Sequence, residues 1–169
     1  MTGGVFRFIS KKRSSYLKSP DTLRDQLSFE IAEIEKLLKT YRSLIDSTRR
    51  KPTLIEITAQ ASVLHAFYNG IEGLFARIAK AYREQYHESP ARHKLLLEAM
   101  TRKTADRPAI LRHETVLILS PYLAFRHFYR HAYSFKLDWR QLKPLVKGLD
   151  VVWGQVKEDL RLFVETIKK

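Results

Sequence analysis

Apolar residues recur along most of this chain at intervals of three and four, the repeat that stacks side chains on one face of an α-helix. Leu23, Leu27, Ile31, Ile34, Leu38, Tyr41 and Ile45 form one such row, and Pro20-Asp21 suits its start. Ile57, Ala61, Leu64, Tyr68, Ile71, Phe75, Ile78 and Tyr82 form a second, beginning just after Pro52-Thr53. A third runs through Leu142, Val146, Leu149, Trp153, Val156, Leu160, Phe163 and Ile167. No strand-like alternation recurs between them.

The stretch between the second and third rows is less regular. His93 to Met100 suits a short helix, Arg107-Pro108 interrupts it, and Thr115 to Leu119 is too short to assign. Ser120-Pro121 reads as an N-cap and first helical residue, opening a fourth main helix on which Ile118, Tyr122, Phe125, Tyr129 and Ala132 keep the spacing. The predicted architecture is all-α: a bundle of four main helices with a short irregular insertion. At 169 residues the chain suits one domain, taken as residues 21–169, with residues 1–20 as a flexible basic leader. In that leader Lys11, Lys12 and Arg13 follow the apolar residues, the reverse of a secretory signal's order.

Charge and composition narrow the chemistry. The formal net charge of +13 predicts a polyanionic partner, and RNA, DNA, an acidic protein or anionic lipid would each fit. With no cysteine, disulfides, thiolate metal sites and cysteine nucleophiles are excluded, and a cytoplasmic setting fits. No apolar run approaches the roughly 20 residues of a membrane span, so no membrane role is expected.

The candidate chemistry lies in residues 126–133, RHFYRHAY, on the fourth helix. Arg126 is a permanent cation with a planar fork suited to phosphate, and His131 is a side chain able to exchange a proton near neutrality. Together they fit phosphodiester cleavage. His131 serves as the base or as the acid for the leaving 5′-oxygen, and Arg126 as the electrostatic clamp. Both lie off the apolar stripe, on either side of it and about 140° apart, so their cooperation calls for a groove or a second copy of the chain. Arg130, Lys136 and Arg140 are the nearby candidates for RNA contacts, in a segment with Asp138 as its sole acid.

The Arg-x4-His spacing, with His127 directly after Arg126, resembles the motif of HEPN-domain ribonucleases. Its extension through Tyr133 resembles the HepT toxins of HEPN/MNT toxin–antitoxin pairs. HAFYNGIEGLFARIAKAY at 65–82, RPAIL at 107–111 and FRHFYRHAYSFKLDW at 125–139 resemble the same group. The resemblance implies a homodimeric helical bundle that cleaves cellular RNA, tRNA or mRNA, without a metal or other cofactor. It also implies a type VII system in which a cognate MNT-type nucleotidyltransferase antitoxin silences the toxin by adding AMP to the motif tyrosine. By position Arg126 and His131 are the catalytic pair, His127 the supporting polar residue and Tyr133 the AMPylation site. Many relatives carry asparagine or aspartate where His127 stands.

Other readings compete with this one. A non-catalytic basic helical module would use RHFYRH only for phosphate contacts and aromatic stacking, or would serve as a partner-binding scaffold. His127 and His131 have the i, i+4 spacing of zinc ligands, but phenylalanine stands where a metalloprotease has its glutamate, and Arg126 and Arg130 repel a cation, so no metal site is expected. His65, His87, His93 and His113 show no partner pattern. Glu72 is a possible supporting acceptor, and Gly70 and Gly73 are read as allowing close helix packing rather than as a phosphate loop.

Overall fold

A computed structural model describes residues 22–47, 51–85 and 91–167. The expected leader, Pro20-Asp21 and His87 lie outside these. Six α-helices appear among the described residues and no strand: α1 Leu23–Thr40, α2 Arg42–Asp46, α3 Leu54–Ala81, α4 Arg92–Ala99, α5 His113–His131 and α6 Trp139–Thr166. The four long ones are the main helices expected from the apolar rows. Thr22 caps α1, its hydroxyl accepting from the Asp25 N–H. Thr53 and Glu56 form a reciprocal capping box at the start of α3.

Helix α3 is the central element, packed against α1, α2, α4, α5 and α6. Its single predicted row understates its burial, because Gln60, Val63, Phe67, Leu74 and Ala79 are buried as well. A helix with neighbours on several sides is apolar beyond one stripe. Each fully buried phenylalanine or leucine contributes about 1.5–3 kcal/mol. Gly70 lets α1 approach: a Cβ there would lie 2.7 Å from Ile34 Cγ1. At Gly73 the nearest atom to such a Cβ is the flexible end of Arg77, at 3.2 Å.

Two boundaries upstream of the octet differ from the sequence reading. The first row is divided at Tyr41, which leaves the helical conformation and separates α1 from α2. The break turns Tyr41 outward while burying Ile45. Gln60 Nε2 donates to the Leu44 carbonyl at 2.9 Å, and Arg42 grips Asp150 of α6 through two bonds of 2.7 and 2.9 Å.

The second difference concerns α5, which does not begin at Ser120-Pro121. It begins at His113, absorbs Thr115–Leu119 and carries Pro121 inside. Pro121 has no N–H to give Leu117, and the Ser120 hydroxyl bonds back to the Val116 carbonyl at 2.7 Å. The true start is fixed by Asp159 of α6, a carboxylate only 2% exposed. Its oxygens accept from the Arg112 N–H at 3.0 Å, Arg112 Nε at 2.6 Å and Thr115 Oγ1 at 2.6 Å. A cap supplied from another helix leaves no local signal, whereas the Ser-Pro pair imitates one.

The irregular stretch after α4 is pinned by Arg107, which is buried. It pairs with Glu84 and donates to the Arg102, Pro108 and Ala99 carbonyls. Tyr122 then bridges α5 to α6 by donating to the Leu145 carbonyl at 2.7 Å, which fixes the orientation of the C-terminal half of α5.

Candidate active site

The apolar face of α5 is rotated relative to the predicted stripe. Thr115 and Leu119 are fully buried, Tyr122 and Phe125 nearly so, and Ile118 and Tyr129 only partly. Arg126 lies two turns beyond Leu119 and about 20° from it around the helix. It therefore points inward at α3 rather than standing beside the stripe, and its side chain is 11% exposed.

A polar row on α3 receives it. Arg126 Nε donates to Asn69 Oδ1 at 2.6 Å, and Nη2 donates to Glu72 Oε1 at 3.3 Å. Glu72 Oε2 also lies 3.3 Å from Arg126 Nε, close enough for an ion pair but without an aligned hydrogen bond. Helix α4 adds His93, whose Nδ1 lies 2.7 Å from Glu72 Oε1. On the other side Asn69 Nδ2 donates to His65 Nε2 at 3.0 Å. With Asn69 Oδ1 already accepting from Arg126, its amide orientation is set, and His65 Nε2 must be the unprotonated nitrogen. Burial first, and then the Arg126 and Arg130 charges, push the His65 pKa below its ordinary value. The His65 ring also packs on Tyr129, with centroids 5.0 Å apart.

The histidines of α5 face elsewhere. His127 and His131 are exposed, with their rings 5.2 Å apart at 63°. His131 continues an outward row of Leu117, Pro121, Ala124 and Phe128, spaced by fours and threes. Arg126 and His131 thus occupy opposite sides of one helix and do not meet within one copy of the chain. Arg130 is exposed at the same end, and Arg140 is engaged with Asp138 at the start of α6, 3.0 Å away.

Tyr133 does not continue the helix, contrary to the expectation that the whole octet is helical. Helix α5 ends at His131, Ala132 is extended, and a 3₁₀ turn at Ser134–Lys136 leads to Asp138, the N-cap of α6. The turn is required because α6 must run back along α5 to bring Leu145 to Tyr122 and Asp159 to Thr115. Tyr133 is left 69% exposed beyond the helix end.

Three members of the cluster escaped the sequence reading: Asn69, His65 and His93. His65, Asn69 and Glu72 sit at i, i+4 and i+7, a polar row on an otherwise apolar helix. That row is a signal the sequence does contain. His93 leaves none, because its partner is 21 residues away on another helix.

An arginine held in a carboxylate and amide cradle, with two imidazoles on the last turns of the same all-α bundle, defines a helical module built around an Arg-x4-His pair. A family model described as HepT-like protein matches residues 59–167, from the first turns of α3 through α6. The chain belongs to this family and is a HepT-like HEPN-domain protein. Helix α1 lies outside the matched span although it packs on α3. Neither curated proteins nor solved structures gave a match.

Proposed function

We propose that this protein is a metal-independent endoribonuclease and the toxin of a HEPN/MNT toxin–antitoxin pair. The observation that carries this reading is the cradle around Arg126. Asn69 and Glu72 restrain the guanidinium through Nε and Nη2, while no bond among the described residues engages Nη1. A fixed fork with one free edge is organised to receive a phosphoryl oxygen and to hold the charge that builds on it. His131 takes the proton from the 2′-hydroxyl or gives one to the leaving 5′-oxygen, and His127 supports it.

The divergence of Arg126 and His131 gives the second copy its role. The outward row from Leu117 to Phe128 borders an apolar groove of about 720 Å³ between α5 and α6, lined by Pro121, Phe125, Phe128, Pro144 and Leu145 among others. A two-fold partner covering this row brings its own α5 to the end that carries His131. The site is then assembled from both copies, with Arg130, Lys136 and Arg140 on the path of the RNA backbone. The family context supports a cytoplasmic toxin whose MNT-type antitoxin attaches AMP to Tyr133. At 69% exposure its hydroxyl is open to such an enzyme, and the added phosphate brings negative charge beside Arg130 and His131.

The test is cleavage of RNA by purified protein in EDTA, followed by analysis of the product ends. A 2′,3′-cyclic phosphate, or its hydrolysis product, is expected. An absolute requirement for a divalent ion overturns the mechanism. Incubation with the cognate nucleotidyltransferase and ATP is expected to abolish cleavage, with the AMP mass increment mapping to Tyr133. AMP found elsewhere rules out the tyrosine switch.

A further inference from the structure

The segment that turns α5 into α6 presents two aromatic rings to solvent. Tyr133 and Phe135 are each 69% exposed, and their planes lie within 8° of parallel with centroids 5.5 Å apart. Lys136 Nζ sits 6.0 Å from the Tyr133 ring centroid. The pair stands directly after the helix turn bearing Arg130 and His131, both exposed. Neither ring joins the hydrophobic core, so folding within one chain does not account for two large apolar side chains held face to face in water.

We propose that Tyr133 and Phe135 form a platform for an unpaired RNA base, so that the substrate is single-stranded or looped RNA. This rests on the ribonuclease reading above. A nucleobase has a flat π-face that stacks on such rings regardless of sequence, and the neighbouring phosphates need cations within a few ångströms. Lys136 and Arg130 supply these beside the platform, and this charge favours RNA over an apolar protein surface. In an A-form duplex the base faces are covered by their neighbours, so a stacking platform selects unstacked nucleotides. The platform follows His131 by two to four residues, which places the stacked base next to the linkage to be cut.

Binding and cleavage separate this proposal from the function on which it rests. In a cleavage-deficient His131→Ala background at fixed salt, binding of a labelled single strand is compared with binding of the same sequence as a duplex and of a strand with abasic positions. Phe135→Ala is expected to weaken single-strand binding about 5- to 100-fold, the loss of one base–aromatic stack. Phe135→Trp and Tyr133→Phe, which keep the rings, are expected to retain affinity. The abasic strand is expected to bind parent and Phe135→Ala alike. Unchanged single-strand binding by Phe135→Ala, or an equal loss on the duplex, overturns the platform even if the active protein still cuts RNA in EDTA. A Phe135→Ala variant that loses self-association in light scattering while keeping RNA affinity overturns it too, and assigns the rings to a protein contact. A platform that binds as expected in a protein that cuts no RNA sinks the ribonuclease reading alone.

Discussion

Helix α5 carries an arginine–carboxylate pair near each end, and the two pairs are used differently. At its start, both oxygens of Asp159 accept hydrogen bonds, from Arg112 and Thr115, and this carboxylate is almost fully buried. Toward its end, Glu72 is divided between Arg126 and His93, its Oε2 lacks a hydrogen bond, and Arg126 keeps one edge unengaged. A buried carboxylate bonded at both oxygens fixes helix position. An incompletely satisfied one, held rigid by Asn69 and His65, is disposed to bind. The difference lies in how many partners surround each carboxylate rather than in the residue types.

The sharpest way to break this comparison is to remove the proposed clamp and base. Arg126→Ala and His131→Ala are each expected to slow RNA cleavage about 100- to 10,000-fold with helicity retained by circular dichroism. If Arg126→Ala instead unfolds the protein and its folded fraction cuts normally, the two ends of α5 are alike and both are structural.

The converse substitution tests the other end. Asp159→Ala leaves the buried Thr115 hydroxyl and the Arg112 N–H without their acceptor, and is expected to lower stability by about 1–3 kcal/mol in urea titrations. The cleavage rate per folded molecule is expected to stay the same. A large loss of rate at full stability contradicts the structural assignment.

Positioning residues come next. Asn69→Ala and Glu72→Ala release Arg126 from its cradle and are expected to reduce turnover on the order of 10- to 100-fold, since small misplacements of a catalytic group carry costs of that size. His93→Gln offers an amide N–H to Glu72 and is expected to retain more activity than His93→Ala. Equal activity of both His93 variants and the parent removes His93 from the network.

The smallest effect is on stability against pH. His65 is held below its ordinary pKa of 6.5, so the folded chain disfavours its charged form. Its contribution is complete above about pH 6.5 and is lost as pH falls from there through the lowered folded value, because the unfolded chain then binds the extra proton. The thermal midpoint of the parent is expected to drop more between pH 7.5 and 5 than that of His65→Gln. Parallel curves for the two proteins refute the assignment of a neutral, partly buried His65.

The amino-acid sequence by itself determined the four long helices, the short α4, the placement of the Arg-x4-His pair on one helix and the family. These depend on local periodicity and on motifs contiguous in the chain, where the 3.6-residue repeat converts directly to a buried face. The break at Tyr41, the start of α5 at His113 and its end before Tyr133 were decided by tertiary contacts: Gln60 and Asp150 around α2, Asp159 beneath α5, and the return of α6 along α5. The same packing turned Arg126 inward onto Asn69 and Glu72 and left His131 facing out. The chain encodes each helix's amphipathic face locally. The angle at which a helix is finally seated depends on partners tens of residues away, and those partners decide which polar side chains meet.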